Sequence, residues 1–107
     1  MDEKLLRLLG LARRAVRLSL GSEAARDALK KRKPALLLLA SDLSARAAGE
    51  FSALAERAAV PSRSIRATMS EVEAALGKRS GVIAVNDMGF AKALRAMIAE
   101  NEEEIQL

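Results

Sequence analysis

Two short stretches of the chain carry the groups with the most chemical reach. The first, "GSEAARDALKKRK", opens with Gly21, Ser22 and Glu23 and closes on four consecutive cations, Lys30, Lys31, Arg32 and Lys33. At about 100° per residue on a helix, Ala24, Ala25, Ala28 and Leu29 gather on one side, while Glu23, Arg26, Asp27 and Lys30 gather opposite, with Lys33 falling beside Arg26. Asp27 and Lys31 stand at the i, i+4 spacing that favours an ion pair worth about 0.3 kcal/mol. The outward face is therefore cationic along its length and carries two acceptors near its start. Gly21 allows close backbone approach, and the free N–H groups that follow form an anion-friendly helix terminus. Cations on such a face suit phosphates, and a carboxylate among them suits the amino groups of guanine or adenine. The second stretch is "GKRSG". There Gly77 and Gly81 permit tight turns around three donor-bearing residues, Lys78, Arg79 and Ser80. It lacks the spacing of a Walker loop.

Composition narrows what these groups can do. The chain of 107 residues has no histidine, so the commonest general base is missing and a Ser-His-Asp arrangement cannot be assembled. With no cysteine, thiolate metal sites and thiol nucleophiles are excluded, and a reducing, cytoplasmic setting is expected. An enzyme built from this chain would have to work with carboxylates or lysine alone, and no cofactor or small-molecule substrate is expected. There is no Trp or Tyr, and Phe51 and Phe90 both fall on the apolar faces of expected helices, which leaves no platform for stacking unpaired bases. No secretory signal is expected in Met1 to Leu20, since Arg7, Arg13, Arg14 and Arg17 interrupt the apolar positions. The longest aliphatic run is too short to span a bilayer, so no membrane partner is expected.

Charge is unevenly placed. Residues 1–33 hold ten Lys/Arg against four Asp/Glu, a balance of +6, and the remainder balances at −2. Such asymmetry favours an anionic partner, nucleic acid before membrane.

These groups must be positioned by a recognisable order of elements. Met1 to Arg17 reads as a helix with Leu5, Leu6, Leu9, Ala12 and Val16 inward. A short strand, Leu18 to Leu20, leads through Gly21 into a helix from Glu23 to about Lys31, with Ser22 as N-cap and Pro34 barring its continuation. Leu36 to Ala40 is apolar on both faces, as a central strand covered on each side would be. Ser44 to Ala59 is a long helix, and Ser64 to Ala67 alternates like a more exposed strand. Ser70 and Glu73 have the spacing of a capping box for a helix ending at Gly77. Val82 to Val85 is the second fully apolar strand, followed by a last helix from about Gly89. The alternation predicts an α/β layer arrangement with the sheet between helices. A single domain over 1–99 is expected, followed by an acidic C-terminal tail, 100–107.

The run from Lys4 to Ser44, the helix end "VEAALGK" and "VIAVNDMGFAKAL" together resemble the kink-turn-binding ribosomal protein superfamily, which includes an archaeal large-subunit protein shared with box C/D particles, and within it the YlxQ-like bacterial branch. The resemblance implies a three-layer α/β/α sandwich with a small four-stranded mixed sheet and no catalytic activity. It implies as partner a structured RNA, a kink-turn-like element of ribosomal RNA or of the ribosome. It assigns RNA contact to Gly21, Ser22, Glu23 and Arg26 and to Gly77, Lys78, Arg79 and Ser80, the same two stretches; Lys30, Lys31 and Lys33 complete the expected binding set. The chain departs from the family pattern at Ala24, Asp27, Glu73 and Val16, the last a position where many members carry glycine. A protein-interaction module on the same fold, without specific RNA recognition, is the alternative expectation.

Overall fold

The computed structural model describes residues 2–106, with side chains through Glu100. The elements run α1 (Glu3–Arg14), β1 (Leu18–Leu20), α2 (Ser22–Lys30), β2 (Leu36–Leu39), α3 (Ala45–Arg57), β3 (Ser62–Ser64), α4 (Met69–Leu76), β4 (Val82–Val85) and α5 (Met88–Gln106). The sheet is mixed, in the order β1-β4-β2-β3: β4 is antiparallel to both β1 and β2, and β3 is parallel to β2.

The two central strands are apolar on both faces because both faces are covered. Leu36 and Leu38 of β2 and Ile83 and Val85 of β4 pack with Leu5, Leu6 and Leu9 of α1, Val72 and Leu76 of α4, and Ala91, Leu94 and Ile98 of α5. The alternate residues Leu37, Leu39, Val82 and Ala84 pack on the other side with Ala25, Ala28 and Leu29 of α2 and Phe51 and Ala55 of α3. A period of two along each strand thus feeds two cores, the three-layer sandwich expected. No helix among the described residues is long and apolar enough to cross a membrane.

Several boundaries differ from the sequence expectation, and each has a local cause. Helix α1 stops at Arg14, three residues early. Val16 lies on no inward stripe: it has φ 58° and is 85% exposed. The Val16 N–H donates to the Arg13 carbonyl and the Arg17 N–H to that of Ala12, the paired bonds of a Schellman motif. The same bonds close α2, from Arg32 to Leu29 and Lys33 to Ala28, and α3, from Ala59 to Glu56 and Val60 to Ala55. Arg32 (φ 53°) and Ala59 (φ 58°) therefore sit, like Val16, in the left-handed conformation that glycine usually occupies. At α4 the residue is glycine, Gly77. The capping box that starts α4 is Thr68–Glu71, two residues before the expected Ser70–Glu73 pair. Strand β3 pairs through Ser62–Ser64 rather than Ser64–Ala67, although the Ile65 N–H still donates to the Leu39 carbonyl. Helix α5 carries the backbone of the acidic end as far as Gln106; side chains beyond Glu100, and Leu107 itself, lie outside the described residues.

A test of the α1 terminus follows. An L residue in the left-handed region costs about 1–2 kcal/mol, of which the larger unfolded-state freedom of glycine takes back about 0.5–1. Val16→Gly is expected to stabilise the domain by about 0.5–1 kcal/mol, a rise of about 3–6 °C in thermal midpoint. An unchanged or lower midpoint would show that Val16 bears no strain.

Candidate nucleic-acid interface

Strands β1, β2 and β3 run in one direction, so the helices that follow them begin at one rim of the sheet. The positive ends of the α2, α3 and α4 macrodipoles gather there, each equivalent to roughly half a unit charge. Two of the three termini are closed by their own side chains: Ser44 Oγ accepts from the Ala47 N–H, and Thr68 and Glu71 close α4. Helix α2 is open. Its N-cap is Gly21, which makes no side-chain cap bond, and Ser22, expected to be the cap, is instead the first helical residue, with its side chain exposed. No described residue accepts from the backbone N–H groups of Ser22, Glu23 and Ala24. Gly21 has φ 95° and ψ 165°, a combination open in practice to glycine alone, and its N–H donates to the Val82 carbonyl across the sheet.

The second stretch closes over this turn. Lys78 Nζ donates to the Leu20 carbonyl at 3.3 Å, and a Cβ built on Gly21 would lie 3.8 Å from that ammonium. Arg79 donates to Ser70 Oγ at 2.8 Å, tying the loop to the first turn of α4. Ser80 is 2% exposed, and its hydroxyl donates to the Lys78 carbonyl at 3.2 Å, so it shapes the loop from within rather than presenting a donor. Arg13, from the end of α1, was not singled out in the sequence. Its guanidinium lies 3.4 Å from where a Cβ on Gly77 would stand. Only the "RR" of "LARRA" hinted at it, and two cations in a last helical turn are ordinarily read as complements to the macrodipole. Gly21, Ser22, Glu23, Gly77, Lys78 and Arg79 are thus brought together with Arg13 at one rim, where Glu71 and Asp42 are engaged by backbone N–H groups at the start of α4.

The remaining expected residues are placed differently. Arg26 is half-buried against α3, ion-paired with Glu50 and with its guanidinium 5.0 Å from the centroid of the Phe51 ring. It bridges two helices as well as bordering the α2 face, and reversing its charge would set two carboxylates together. Lys30, Lys31 and Lys33 lie at the far end of α2, about 13 Å from the open terminus for a nine-residue helix. Lys31 pairs with Asp27 at 3.1 Å, the expected i, i+4 pair, and Lys30 borders an α2–α3 groove with Arg26, Arg32 and Arg57. Here the carbonyl ends of α2 and α3 account for the cations.

The fold defines a class: an α/β/α sandwich around a four-stranded mixed sheet, the architecture of the Giardia lamblia 15.5kD RNA binding protein. That structure superposes with a TM-score of 0.73 at 15% identity, covering 96% of this chain and 92% of that one. More similar in sequence is a protein with unknown function from Bacillus halodurans C, 30% identical with a TM-score of 0.83, covering 92% of this chain and 99% of that one. This chain belongs to the same family as the Bacillus protein. No protein-family profile and no curated protein matches the chain.

Proposed function

We propose that the protein is a noncatalytic, cytoplasmic binder of structured RNA that docks the Gly21 turn, the open α2 terminus and the Gly77–Gly81 loop against one RNA surface. The observation that carries this reading is the seating of Lys78 over Gly21 beside three uncapped backbone N–H groups. Those N–H groups and the Lys78 ammonium can take phosphate oxygens, Arg13 can take a second phosphate, and Glu23 on the first turn of α2 can accept from base amino groups. The lack of stacking residues directs the site toward folded RNA rather than loose single strands. A kink-turn-like internal loop in ribosomal RNA is the element we favour, on the sequence resemblance to kink-turn binders of the YlxQ-like branch. The shared fold with an RNA-binding protein supports the reading at the level of architecture.

The test is titration of a folded internal-loop RNA against salt. If four to six phosphates are neutralised, log K against log salt should slope at roughly −3 to −5. An unstructured strand of equal length should bind more weakly at moderate salt. A flat dependence, or no binding at low salt, would replace this reading with the protein-interaction module.

A further inference from the structure

We infer that the groove between the β3 edge and α5 is a second phosphate-backbone contact, reached by a duplex arm of the same RNA. The inference rests on the RNA reading above and extends it to a surface outside the Gly21 rim. The groove holds about 350 Å³ and is walled by Arg63, Lys92 and Arg95 over a floor of Ala96, Ile98 and Ala99.

Arg63 lies opposite Leu38 in the β2–β3 ladder, and Leu38 packs into the core shared with α5, so both belong to the sheet face that α5 covers. Its guanidinium donates to the Ser62 carbonyl at 2.8 Å, which holds it at the strand edge. Lys92 and Arg95 stand three residues apart on α5, hence on one side of the helix, and both are exposed. No carboxylate among the described residues pairs with any of the three.

Ordinary structural roles do not account for this cluster. A lone inward charge on an edge strand guards against strand pairing, which would explain Arg63 by itself. Cations at a helix C-terminus answer the macrodipole, which explains Arg14, Lys30 and Arg57. Lys92 and Arg95 lie in the second and third turns of a 19-residue helix, where no terminus calls for them. The apolar floor is two alanines and a nearly buried isoleucine, so the groove lacks the large anchor pocket on which protein interfaces depend. Arginine forks beside a lysine over a shallow, small-residue floor fit a phosphodiester backbone. The groove lies at the opposite sheet edge from β1, three inter-strand spacings or about 14 Å across, so an RNA confined to the Gly21 turn does not reach it.

The experiment compares two RNAs with the same internal loop, one with only its closing pairs and one with an extended duplex arm. The variant is the full chain with Lys92→Gln and Arg95→Gln, both on an exposed helix face, and a second variant carries Arg63→Ala; circular dichroism confirms the fold of each. The double variant is expected to bind the extended RNA about 10-fold more weakly, with a salt slope shallower by about 2, and the short RNA unchanged. Arg63→Ala should follow the same pattern with a smaller loss. Lys78→Ala should weaken both RNAs. If Lys78→Ala weakens both while the groove variants change neither, the groove is overturned and the RNA reading stands. If the wild-type chain binds neither RNA, both fall. If the groove variants instead alter the sedimentation of the free protein, the groove seats a second copy and the RNA contact is overturned.

Discussion

Exchanging Lys78 and Arg13 together for glutamate is expected to remove measurable binding to a folded internal-loop RNA while the domain stays folded. Each cation, in contact with a phosphate, supplies a charge-assisted bond of about 1.5–3 kcal/mol. Losing both is about 3–6 kcal/mol, roughly a 10²- to 10⁴-fold change in affinity, before the repulsion from the new carboxylates is counted. The structural cost is small by comparison. Lys78 gives up one bond to the Leu20 carbonyl, and Arg13 leaves the last turn of α1, where a glutamate opposes the macrodipole by about 0.3–1 kcal/mol. Titration against one RNA, with the far-ultraviolet spectrum of each variant as control, separates the two effects. Folded protein with undiminished affinity would remove the Gly21 rim from the binding surface. This pair is a cleaner probe than Arg26, whose contacts with Glu50 and Phe51 would confuse lost binding with disturbed packing.

The largest effect on stability is expected from Phe51→Ala. Phe51 is 1% exposed and is the largest side chain in the layer that joins α2 and α3 to the sheet. Truncating a buried phenylalanine costs about 3–5 kcal/mol, and the Arg26 guanidinium loses its aromatic face, about 0.5–1 kcal/mol more. Against a total of about 5–15 kcal/mol, such a loss brings a small domain close to unfolding. Urea titration should show a much lower midpoint with an unchanged slope, and Phe51→Leu should recover much of the difference. A loss below about 1 kcal/mol would mean that α2 and α3 are not held by one packed core.

The contrast between β2 and the helix ends shows what could be read from the sequence. Leu36–Leu39 and Val82–Val85 are legible because burial on both faces leaves no polar position in either run. Gly21 and Gly77 mark turns that only glycine makes easily, and those two turns frame the candidate site. The ends of α1 and α3 lacked that signal, since Val16 and Ala59 adopt the left-handed conformation without being glycine; α2, where Arg32 does the same, was still legible because Pro34 bars its continuation near Lys31. The capping box was displaced because Thr68 and Ser70 offer equivalent hydroxyls, each with a glutamate three residues on; the backbone placed the cap at Thr68. The convergence of Arg13 on Gly77 had no local signature, since it depends on how α1 lies across the sheet. The orientation of Arg26 depends on α3, 24 residues away in sequence.

The strand order also dictates when the molecule can come together during synthesis. Strand β4, the last to leave the ribosome, separates β1 from β2, and its ladder pairs Leu18 with Val85 and Leu36 with the same Val85. Until residue 85 has been made, β1 has no neighbour, and one whole edge of the Leu36–Leu39 run is without its partner strand. Loop-closure entropy over such separations must be met before native contacts reward it, so the nascent chain carries its most apolar segment with that edge open while residues 40–85 are made. A nascent-chain chaperone therefore has a defined segment to cover.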